Sequence, residues 1–481
     1  MLLALPCPAA TLPALQVLHD GPDGATCRHF NAGGRLAWRV QGGDWRDADR
    51  LLHGAQPYAV ARITGEDAVV RWPVGAMVRE AAARGERSLA VLLRRTDGTG
   101  GVDFHTREAA AGGHRPTLLV TLGDGRGPLA LRATADAGLD CSTARTLGGR
   151  ASMRVHGHAQ AVLAFDLAQL RGERPMEATL ELAVRSRHGD GLDVGAFALA
   201  LPVEAVRENG GAGLAAAFPG DAGIERHPAV LMATGFESED WRRKWSPAAF
   251  VGRAERVGLD AGETFDPIGG HALRVRIPKG RNTGLDLSFR FAERTGEEPQ
   301  AVWFRYYLRF ARDWIADVDG GKLPGLAGTY GRAGWGGRPA DPLAGWSLRG
   351  HFNRAPLPGN PMRGLVTLAT YAYHADMEGR FGDEWPWTLG GHGVLERERW
   401  YCIEQHVRLN TPGARDGVLR AWVDGALALA RDDVRLRDVE AVRIERVWMN
   451  VYHGGTAPPA RDMHLDIDNV VIARERIGCM P

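Results

Sequence analysis

Apolar and polar residues alternate with a period of two along most of this chain, a pattern typical of half-buried β-strands. The alternation is clearest in residues 303–310, where four large apolar side chains share one face while Arg305 and Tyr307 share the other. Strand-like runs recur from residue 60 to the closing segment 465–473, and residues 75–83 form the one clear helical stretch before residue 121. The pattern therefore predicts an all-β protein.

The composition divides the chain near residue 207. Residues 209–223 are rich in glycine and alanine and show no clear alternation, which is typical of a linker. Of 14 Trp and eight Tyr, eleven Trp and seven Tyr follow residue 240. We therefore predict β-sandwich segments at 1–121 and 128–206, a linker at 207–224, and one antiparallel β-jelly roll over 225–481 in which the first and last strands come together.

The overall charge and the apolar runs do not suggest a nucleic-acid or membrane partner. Lys+Arg is 59 and Asp+Glu is 58, so the net charge is +1, without the basic balance of a nucleic-acid binder. There is no run of 18 apolar residues that predicts a membrane span. The apolar start, Met1–Ala14, lacks the basic region of a standard secretory signal and is broken by three prolines. We expect a monomer without a nucleic-acid or membrane partner.

The cysteines give no sign of a metal site. None of the five belongs to a CxxC pair, so we expect no zinc and no other metal. Their wide spacing favours buried free thiols, although a Cys402–Cys479 disulfide stays open as an alternative. The five are Cys7, Cys27, Cys141, Cys402 and Cys479.

One lysine stands out because the chain uses arginine almost everywhere. Only three of the 59 basic residues are lysine, and Lys322 lies in the irregular segment 320–326 between glycines and a proline. A lysine in a turn is most often a solvated charge. Lysine differs from arginine, however, as a compact charge whose pKa can shift, so Lys322 is a candidate for proton chemistry.

Two further strands carry polar faces. In residues 346–351 the alternation places Ser347, Arg349 and His351 together, and in residues 368–374 it places Tyr371 beside Tyr373. Two hydroxyls near positive charge form a possible acid/base set. The alternative is an aromatic ladder on an exposed sheet.

Six motifs in these strands occur in one order over residues 320–455: Lys-Leu-Pro-Gly, Gly-Trp-Ser-x-Arg, Tyr-x-Tyr, Trp-Tyr-x-Ile-Glu-Gln-x-Val-x-Leu-Asn-Thr-Pro-Gly, Asp-Gly-x-Leu-Arg-x-Trp-Val-Asp-Gly and His-Gly-Gly. The series resembles the jelly-roll alginate and glucuronan lyases of polysaccharide lyase family 14, over about residues 230–474. The connection 355–365 is longer than the family's usual one, which puts the shape of the groove and the substrate in doubt.

This resemblance implies a cofactor-independent lyase that cleaves an anionic polysaccharide (alginate, polymannuronate or glucuronan). It implies catalytic roles at Lys322, Ser347, Arg349, Tyr371 and Tyr373. We add polar groups of the same strands and motifs as substrate-binding candidates, namely Arg305, Tyr307, His351, Gln405 and His453.

A second resemblance concerns the amino-terminal region. Val102-Asp-Phe-His-Thr-Arg-Glu108 with Arg115-Pro-Thr-Leu-Leu-Val120 resembles the second half of a DNRLRE-type β-sandwich module, and residues 133–139 resemble its opening half. The halves occur in reversed order. The resemblance implies a module that accompanies polysaccharide-degrading enzymes, either as a carbohydrate-binding domain or as a structural spacer.

The implied reaction is a β-elimination. The C5 proton of a uronate becomes acidic only when its carboxylate is neutralised, and Arg349, Lys322 and Ser347 have the chemistry to do this. A base must take the C5 proton and an acid must protonate O4. A tyrosinate at position 371 or 373 would suffice for β-mannuronate, where H5 and O4 lie on one face of the ring.

Two other functions are possible alternatives. A retaining glycosidase needs two carboxylates about 5–5.5 Å apart, and Asp466 and Asp468 are the nearest pair at strand spacing. A non-catalytic lectin would use the same aromatic residues without the Lys/Tyr combination. A polymeric substrate suggests a secreted or periplasmic protein, whereas the missing signal argues against export.

Overall fold

The computed structural model describes residues 12–65, 68–110, 115–123, 127–170, 172–201, 213–247, 252–261, 265–455 and 457–481. The chain divides into two compact units. The first consists of Met1–Glu204 with Pro356–Arg363, and the second of Ala205–Ala355 with Gly364–Pro481. The start 1–11, which includes Cys7, and residues 207–212 of the predicted linker lie outside the described residues.

The described part of the first unit is built from thirteen strands and one α-helix. The helix α1 (Gly75–Ala83) coincides with the predicted helical stretch and buries Met77, Val78 and Ala81. The strands are β1 (His29–Asn31), β2 (Leu36–Ala37), β3 (Trp45–Arg46), β4 (Ala59–Ile63), β5 (Val69–Pro73), β6 (Ser88–Gly98), β7 (Gly101–His105), β8 (Thr117–Leu122), β9 (Leu129–Asp140), β10 (Ser152–Val155), β11 (Ala159–Asp166), β12 (Pro175–His188) and β13 (Leu192–Leu199).

Strands from the two predicted amino-terminal segments pair with one another. Eleven strands form an antiparallel network in the order β10-β7-β12-β8-β9-β11-β6-β13-β3, with β4 beside β13 and β5 beside β12. Strand β6 pairs with β11 and β13, and β7 pairs with β10 and β12. The structure therefore joins the segments 1–121 and 128–206 in one unit, because each supplies the hydrogen-bonding neighbours of the other.

The second unit contains fifteen described strands and a short helix α2 (Phe291–Thr295). The strands are β14 (Val230–Thr234), β15 (Ala254–Val257), β16 (Ala272–Ile277), β17 (Thr283–Arg290), β18 (Ala301–Phe310), β19 (Gly321–Gly328), β20 (Trp346–Phe352), β21 (Val366–Tyr373), β22 (Asp383–Pro386), β23 (Val394–Leu395), β24 (Trp400–Arg408), β25 (Gly417–Val423), β26 (Ala426–Val434), β27 (Arg446–His453) and β28 (Met463–Ala473).

These strands form two antiparallel sheets around one apolar core, as the sequence predicts for a jelly roll. The eight-stranded sheet has the order β15-β16-β28-β18-β24-β25-β26, with β14 beside β28, and the seven-stranded sheet has the order β17-β27-β19-β20-β21-β22, with β23 beside β21. The first strand, β14, pairs with the last, β28, which confirms that prediction. Phe304 of one sheet and Leu348 of the other belong to the same buried cluster.

The predicted linker is an ordered part of the second unit from residue 213 onwards. Short 3-10 helices span Leu214–Ala217, Pro219–Asp221 and Ile224–Arg226. Ala215 and Ile224 are buried in one cluster with Val471 of β28. A Cβ added to Gly213 would collide with the backbone of Ile477, so the small side chains permit close packing here. The linker prediction was therefore wrong for residues 213–224.

Four of the five cysteines are paired. Cys27 is bonded to Cys141 in the first unit, and Cys402 is bonded to Cys479 in the second. The preference for free thiols was wrong for these four, whereas the alternative of a Cys402–Cys479 disulfide is confirmed. Among the described residues, no helix has the length and apolar character that crossing a membrane requires.

Candidate active site

Three adjacent strands of the seven-stranded sheet carry the catalytic candidates. Leu323 and Leu348 point into the core, so the alternating polar residues of β19, β20 and β21 lie on the other face of the sheet. Residues directly opposite in an antiparallel pair share a face. The register pairs Lys322 with His351, Arg349 with Tyr371, and Ser347 with Tyr373.

Lys322 is a buried lysine in contact with the Tyr371 ring. Its side chain is 9% exposed, and Nζ donates a hydrogen bond to the backbone oxygen of Gly454 at 3.0 Å. The ammonium lies 4.3 Å from the centroid of the Tyr371 ring. Burial, followed by the nearby charge of Arg349, lowers the pKa of Lys322 to about 8. A substantial fraction of Lys322 is therefore an uncharged amine at mildly alkaline pH.

Arg349 is held by uncharged groups. Its Nη1 donates to the Asn450 side-chain oxygen at 3.0 Å, and its guanidinium lies 4.7 Å from the centroid of the Trp448 ring. The residue is 5% exposed, and its buried Nε has no hydrogen-bond partner among the described residues. Burial lowers the pKa of Arg349 to about 10. Within the described residues, neither Arg349 nor Lys322 forms an ion pair with a carboxylate.

The two tyrosines differ in their access to solvent. Tyr373 is 1% exposed, and its hydroxyl accepts a hydrogen bond from the Gly337 N–H at 3.2 Å. Tyr371 is only partly buried, and the two rings lie 5.6 Å apart, edge to face. Burial, followed by the proximity of Tyr373, raises the pKa of the Tyr371 hydroxyl. Tyr371 is therefore a protonated phenol over the pH range in which Lys322 titrates.

Ser347 and His351 lie on the same strand face but serve other contacts. The Ser347 hydroxyl is fully buried and donates to the Gly334 carbonyl oxygen at 2.6 Å, which ties the loop 329–345 to β20. The His351 ring is stacked 5.4 Å from the Tyr371 ring, and its Nε2 is 3.6 Å from a carboxylate oxygen of Glu384. Ser347 is therefore engaged with the loop 329–345, and His351 with the Tyr371 ring and Glu384.

Arg305 and Tyr307 lie in the other sheet and do not join this group. Arg305 of β18 is completely buried and forms an ion pair of 2.6 Å with Asp221. The Tyr307 hydroxyl accepts a hydrogen bond from the Met480 backbone N–H at 2.8 Å. Their face of β18 is covered by the chain segments of Asp221 and Met480, which corrects their prediction as substrate-binding residues.

Gln405 and His453 are also internal. Gln405 lies between the two sheets, where its Nε2 donates to the backbone oxygen of Pro324 at 3.0 Å. His453 is fully buried at the end of β27, with its ring 6.2 Å from the Phe352 ring. Burial lowers the His453 pKa. Neither side chain is accessible to a polysaccharide, so both substrate-binding predictions are corrected to structural roles.

Two groups that contact Arg349 were not predicted from the sequence. Asn450 and Trp448 lie on β27 and contact the Arg349 guanidinium, and the Trp448 indole N–H donates to Asp286 at 2.8 Å. Both belong to the alternating run Trp448-Met-Asn-Val-Tyr452, which ends at the His-Gly-Gly motif. The alternation of that run was the available signal.

Asp466 and Asp468, the carboxylate pair that a glycosidase would need, are both buried and paired with other groups of the protein. Asp466 is fully buried and forms ion pairs with Arg274 at 2.9 Å and Arg309 at 3.0 Å. Asp468 is equally buried, accepts a hydrogen bond from the Ile268 N–H, and has its pKa raised to about 7 by burial. A groove-facing acid and nucleophile cannot be built from this pair.

The described residues contain one cluster of three carboxylates that could hold a metal ion, and this cluster lies in the first unit. Carboxylate oxygens of Asp20, Glu108 and Asp136 lie within 4.8 Å of one another. Arg107 forms ion pairs with Asp20 at 2.9 Å and with Glu108 at 3.1 Å, so a protein cation already offsets part of this charge. None of these residues belongs to the unit that carries Lys322.

The chemistry available on the seven-stranded sheet follows from these contacts. The guanidinium of Arg349 has no carboxylate partner among the described residues, the Lys322 amine has a lowered pKa, and the Tyr371 phenol stays protonated. Together these groups can bind an anion, remove a proton and donate a proton. The site thus combines the functions that a β-elimination at a uronate requires.

Among the solved structures that are similar to this chain are three lyases. The alginate lyase vAL-1 from Chlorella virus is 16% identical with a TM-score of 0.39, and the match covers 51% of this chain and 99% of that one. The PL-14 alginate lyase from Aplysia kurodai is 18% identical with a TM-score of 0.38, covering 50% and 98%. The endo-β-1,4-glucuronan lyase from the fungus Trichoderma reesei is 10% identical with a TM-score of 0.34, covering 51% and 95%.

A search of curated proteins found no match. The sequence model of polysaccharide lyase 14 matches residues 267–461, a range that includes β19, β20, β21 and β27 with all five catalytic candidates. Residues 267–461 of this chain are therefore a polysaccharide lyase 14 domain.

Proposed function

We propose that this lyase cleaves a 4-linked polyuronate by β-elimination at Lys322, Arg349 and Tyr371. The observation that carries the proposal is the convergence of two buried cations on one phenol. The Lys322 ammonium lies 4.3 Å from the Tyr371 ring, and the Arg349 guanidinium lies 5.9 Å from it. Because no described carboxylate pairs with Arg349, its charge is available for an anionic sugar, while Lys322 can act in its uncharged form.

Arg349 neutralises the substrate carboxylate in this mechanism. Its guanidinium is fixed by Asn450 and Trp448, so it meets the carboxylate without reorganising. Charge-assisted hydrogen bonds to the carboxylate lower the energy of the dianion-like enolate that forms when C5 loses its proton. This interaction grows stronger as charge develops, and so it lowers the barrier.

Lys322 is the general base and Tyr371 the general acid. The uncharged Lys322 amine takes the C5 proton, the C4=C5 double bond forms, and the C4–O4 bond breaks. Tyr371 donates its hydroxyl proton to the departing O4, which yields a 4,5-unsaturated uronate and a new hydroxyl end. The Lys322 ammonium then returns a proton to the tyrosinate. This assignment revises the tyrosinate base expected from the sequence, because burial raises the pKa of Tyr371 while it lowers that of Lys322.

The geometry favours substrates in which H5 and O4 lie on the same face of the sugar. Lys322 and Tyr371 project from neighbouring strands on one face of the sheet and are in contact with each other. Lys322 and Tyr371 can therefore both reach the same face of the sugar ring. We propose β-D-mannuronate or β-D-glucuronate polymers, which share this relation, over guluronate, where the two atoms lie on opposite faces.

A panel assay tests the proposed function. Polymannuronate, polyguluronate, glucuronan and uronate-containing glycosaminoglycans are incubated with the full chain, and the ultraviolet absorbance of the unsaturated product is followed. We expect absorbance with polymannuronate or glucuronan. Reducing ends without absorbance would indicate a glycosidase, and binding without either product would indicate a lectin.

We also propose that the protein works in an oxidising compartment as a secreted or periplasmic enzyme. The Cys27–Cys141 and Cys402–Cys479 disulfides support this location, because such bonds persist in oxidising environments. The first unit is proposed to be an accessory β module, as its DNRLRE-like segments imply. Glycan arrays of the full chain, with Lys322→Ala to prevent turnover, would reveal any second carbohydrate specificity.

A further inference from the structure

The hairpin between β21 and β22 lies directly against the catalytic tyrosines. A Cβ added to Gly382 would lie 3.0 Å from Tyr373 Cδ2 and 3.1 Å from Tyr371 Cε1. The absence of a side chain at Gly382 therefore lets the hairpin backbone contact both rings. Phe381 precedes Gly382 in the chain, so its backbone lies beside this contact.

On its other side, Phe381 contacts the glycine-rich loop 329–345, which also contacts the Tyr373 hydroxyl. The Gly337 N–H donates to the Tyr373 hydroxyl at 3.2 Å, and the Gly337 carbonyl oxygen accepts from Arg380 Nε at 3.1 Å. A Cβ added to Gly337 would lie 3.2 Å from Phe381 Cε1. Gly337 has φ of 77°, a conformation that favours glycine, so the loop can approach the phenyl ring.

Phe381 is exposed although it lies beside a buried aromatic site. Its side chain is 56% exposed, whereas Tyr373 is 1% and Trp448 is 6% exposed. The guanidinium of Arg380, which is also exposed, lies 5.9 Å from the centroid of the Phe381 ring. An apolar ring and a cation are thus presented together at the edge of the polar sheet face.

We propose that Phe381 and Arg380 form a sugar-binding subsite next to the reacting uronate, for a second uronate residue of the same polymer. The proposal rests on the proposed function of the site. The apolar C–H face of a pyranose packs on the face of the phenyl ring, whose π electrons attract the C–H edge. Arg380 binds the carboxylate of that sugar through a charge-assisted hydrogen bond.

The subsite binds a sugar that does not react. Its contribution is therefore made equally in the ground state and the transition state, and it lowers KM without raising kcat. A substrate too short to reach Phe381 gains nothing from it. These consequences separate a subsite residue from one that merely stabilises the hairpin.

The test uses the full chain with Phe381→Ala, Phe381→Tyr and Arg380→Ala. We expect Phe381→Ala to raise KM for polymannuronate or glucuronan about tenfold with kcat changed less than twofold. Phe381→Tyr keeps the ring and should restore the wild-type KM. Leu343→Ala is the matched control, since Leu343 is a 59% exposed apolar residue of the same unit. An unchanged KM in Phe381→Ala would overturn the subsite.

Calorimetry separates this inference from the lyase proposal. Mannuronate and glucuronate hexamers are titrated into Lys322→Ala and into Lys322→Ala combined with Phe381→Ala. A weaker affinity in the double variant supports the subsite even where wild type yields no unsaturated product, in which case only the lyase proposal fails. Equal affinity in both variants, or no binding to either, rejects the subsite even where wild-type turnover is normal.

Discussion

The two sheets of the second unit both bury arginines on the faces turned away from their shared core, but they compensate the charge differently. On the eight-stranded sheet, Arg305 is matched by Asp221 and Arg309 by Asp466. On the seven-stranded sheet, Arg349 and Lys322 are held by the Asn450 amide and the Gly454 carbonyl. The sequence patterns of the two faces are alike, since both alternate Arg and Tyr with apolar residues.

This difference distinguishes a structural cation from a functional one. A buried charge is costly unless it is paired, and a protein carboxylate makes the pair permanent. A cation held by a neutral amide or carbonyl keeps its charge available for an anion from outside. The seven-stranded face is thus built for an acidic ligand, whereas the eight-stranded face is neutralised within the protein.

The largest expected effect on turnover is that of Lys322→Arg. The substitution keeps a positive charge but replaces an amine whose pKa is about 8 with a guanidinium that stays protonated. We expect kcat to fall at least about a hundredfold, within the usual ~10²–10⁴-fold contribution of an acid/base group. Lys244→Arg is the matched control, because Lys244 Nζ also donates to a backbone carbonyl, that of Ala233. Equal turnover in the two variants would contradict the assignment of Lys322.

The tyrosine pair should show unequal effects. Tyr371→Phe removes the partly exposed hydroxyl beside Lys322, and we expect about a hundredfold loss of kcat. Tyr373→Phe removes a buried hydroxyl that anchors Gly337, and we expect about a tenfold loss. Steady-state kinetics on variants with unchanged circular dichroism provide the measurement. The reverse order of losses would make Tyr373 the proton donor.

The pH dependence should follow Lys322. Protonation of the amine abolishes the base, so kcat/KM should fall about tenfold per pH unit below the free-enzyme pKa of about 8. The alkaline decline should lie near pH 10, where Arg349 loses its charge, because the Tyr371 pKa is raised above its ordinary value of about 10. A bound carboxylate raises the Lys322 pKa, so the acid limb of kcat should lie at higher pH than that of kcat/KM. Activity that still rises beyond pH 10 would indicate a tyrosinate base instead.

The smallest effect on turnover is expected from a substitution on the eight-stranded face. Asp221→Ala leaves the completely buried Arg305 without its carboxylate and should lower the free energy of unfolding by about 3–5 kcal/mol. The kcat of the folded protein should change less than twofold, because this pair is absent from the site. Asp240→Ala, which removes a 63% exposed partner of Arg243, should cost less than about 1 kcal/mol. Denaturant titration and kinetics on the same samples test both expectations.

Much of the architecture could be read from local patterns. The alternation of β18 correctly placed Phe304, Tyr306 and Leu308 in the core, and the helical stretch 75–83 is α1. The glycine- and alanine-rich segment was wrongly predicted to be a linker, because composition does not reveal that Ala215 packs on β28. The same limit applies to the amino-terminal region, where the pairing of β6 with β11 and β13 is long-range.

The sequence by itself determined which residues alternate on each strand, and ordered motifs brought Lys322, Arg349 and Tyr371 forward as candidates. Period-two alternation is a local property of the extended backbone, so it can be read without knowing the partners of a strand. Only the tertiary structure decided which of the buried cations form an ion pair with a carboxylate. Asp221 is 84 residues from Arg305, and Asn450 is 101 residues from Arg349. The choice between a neutralised cation and one available to a substrate depends on those distant contacts, because charge compensation is set by distance in space and not along the chain.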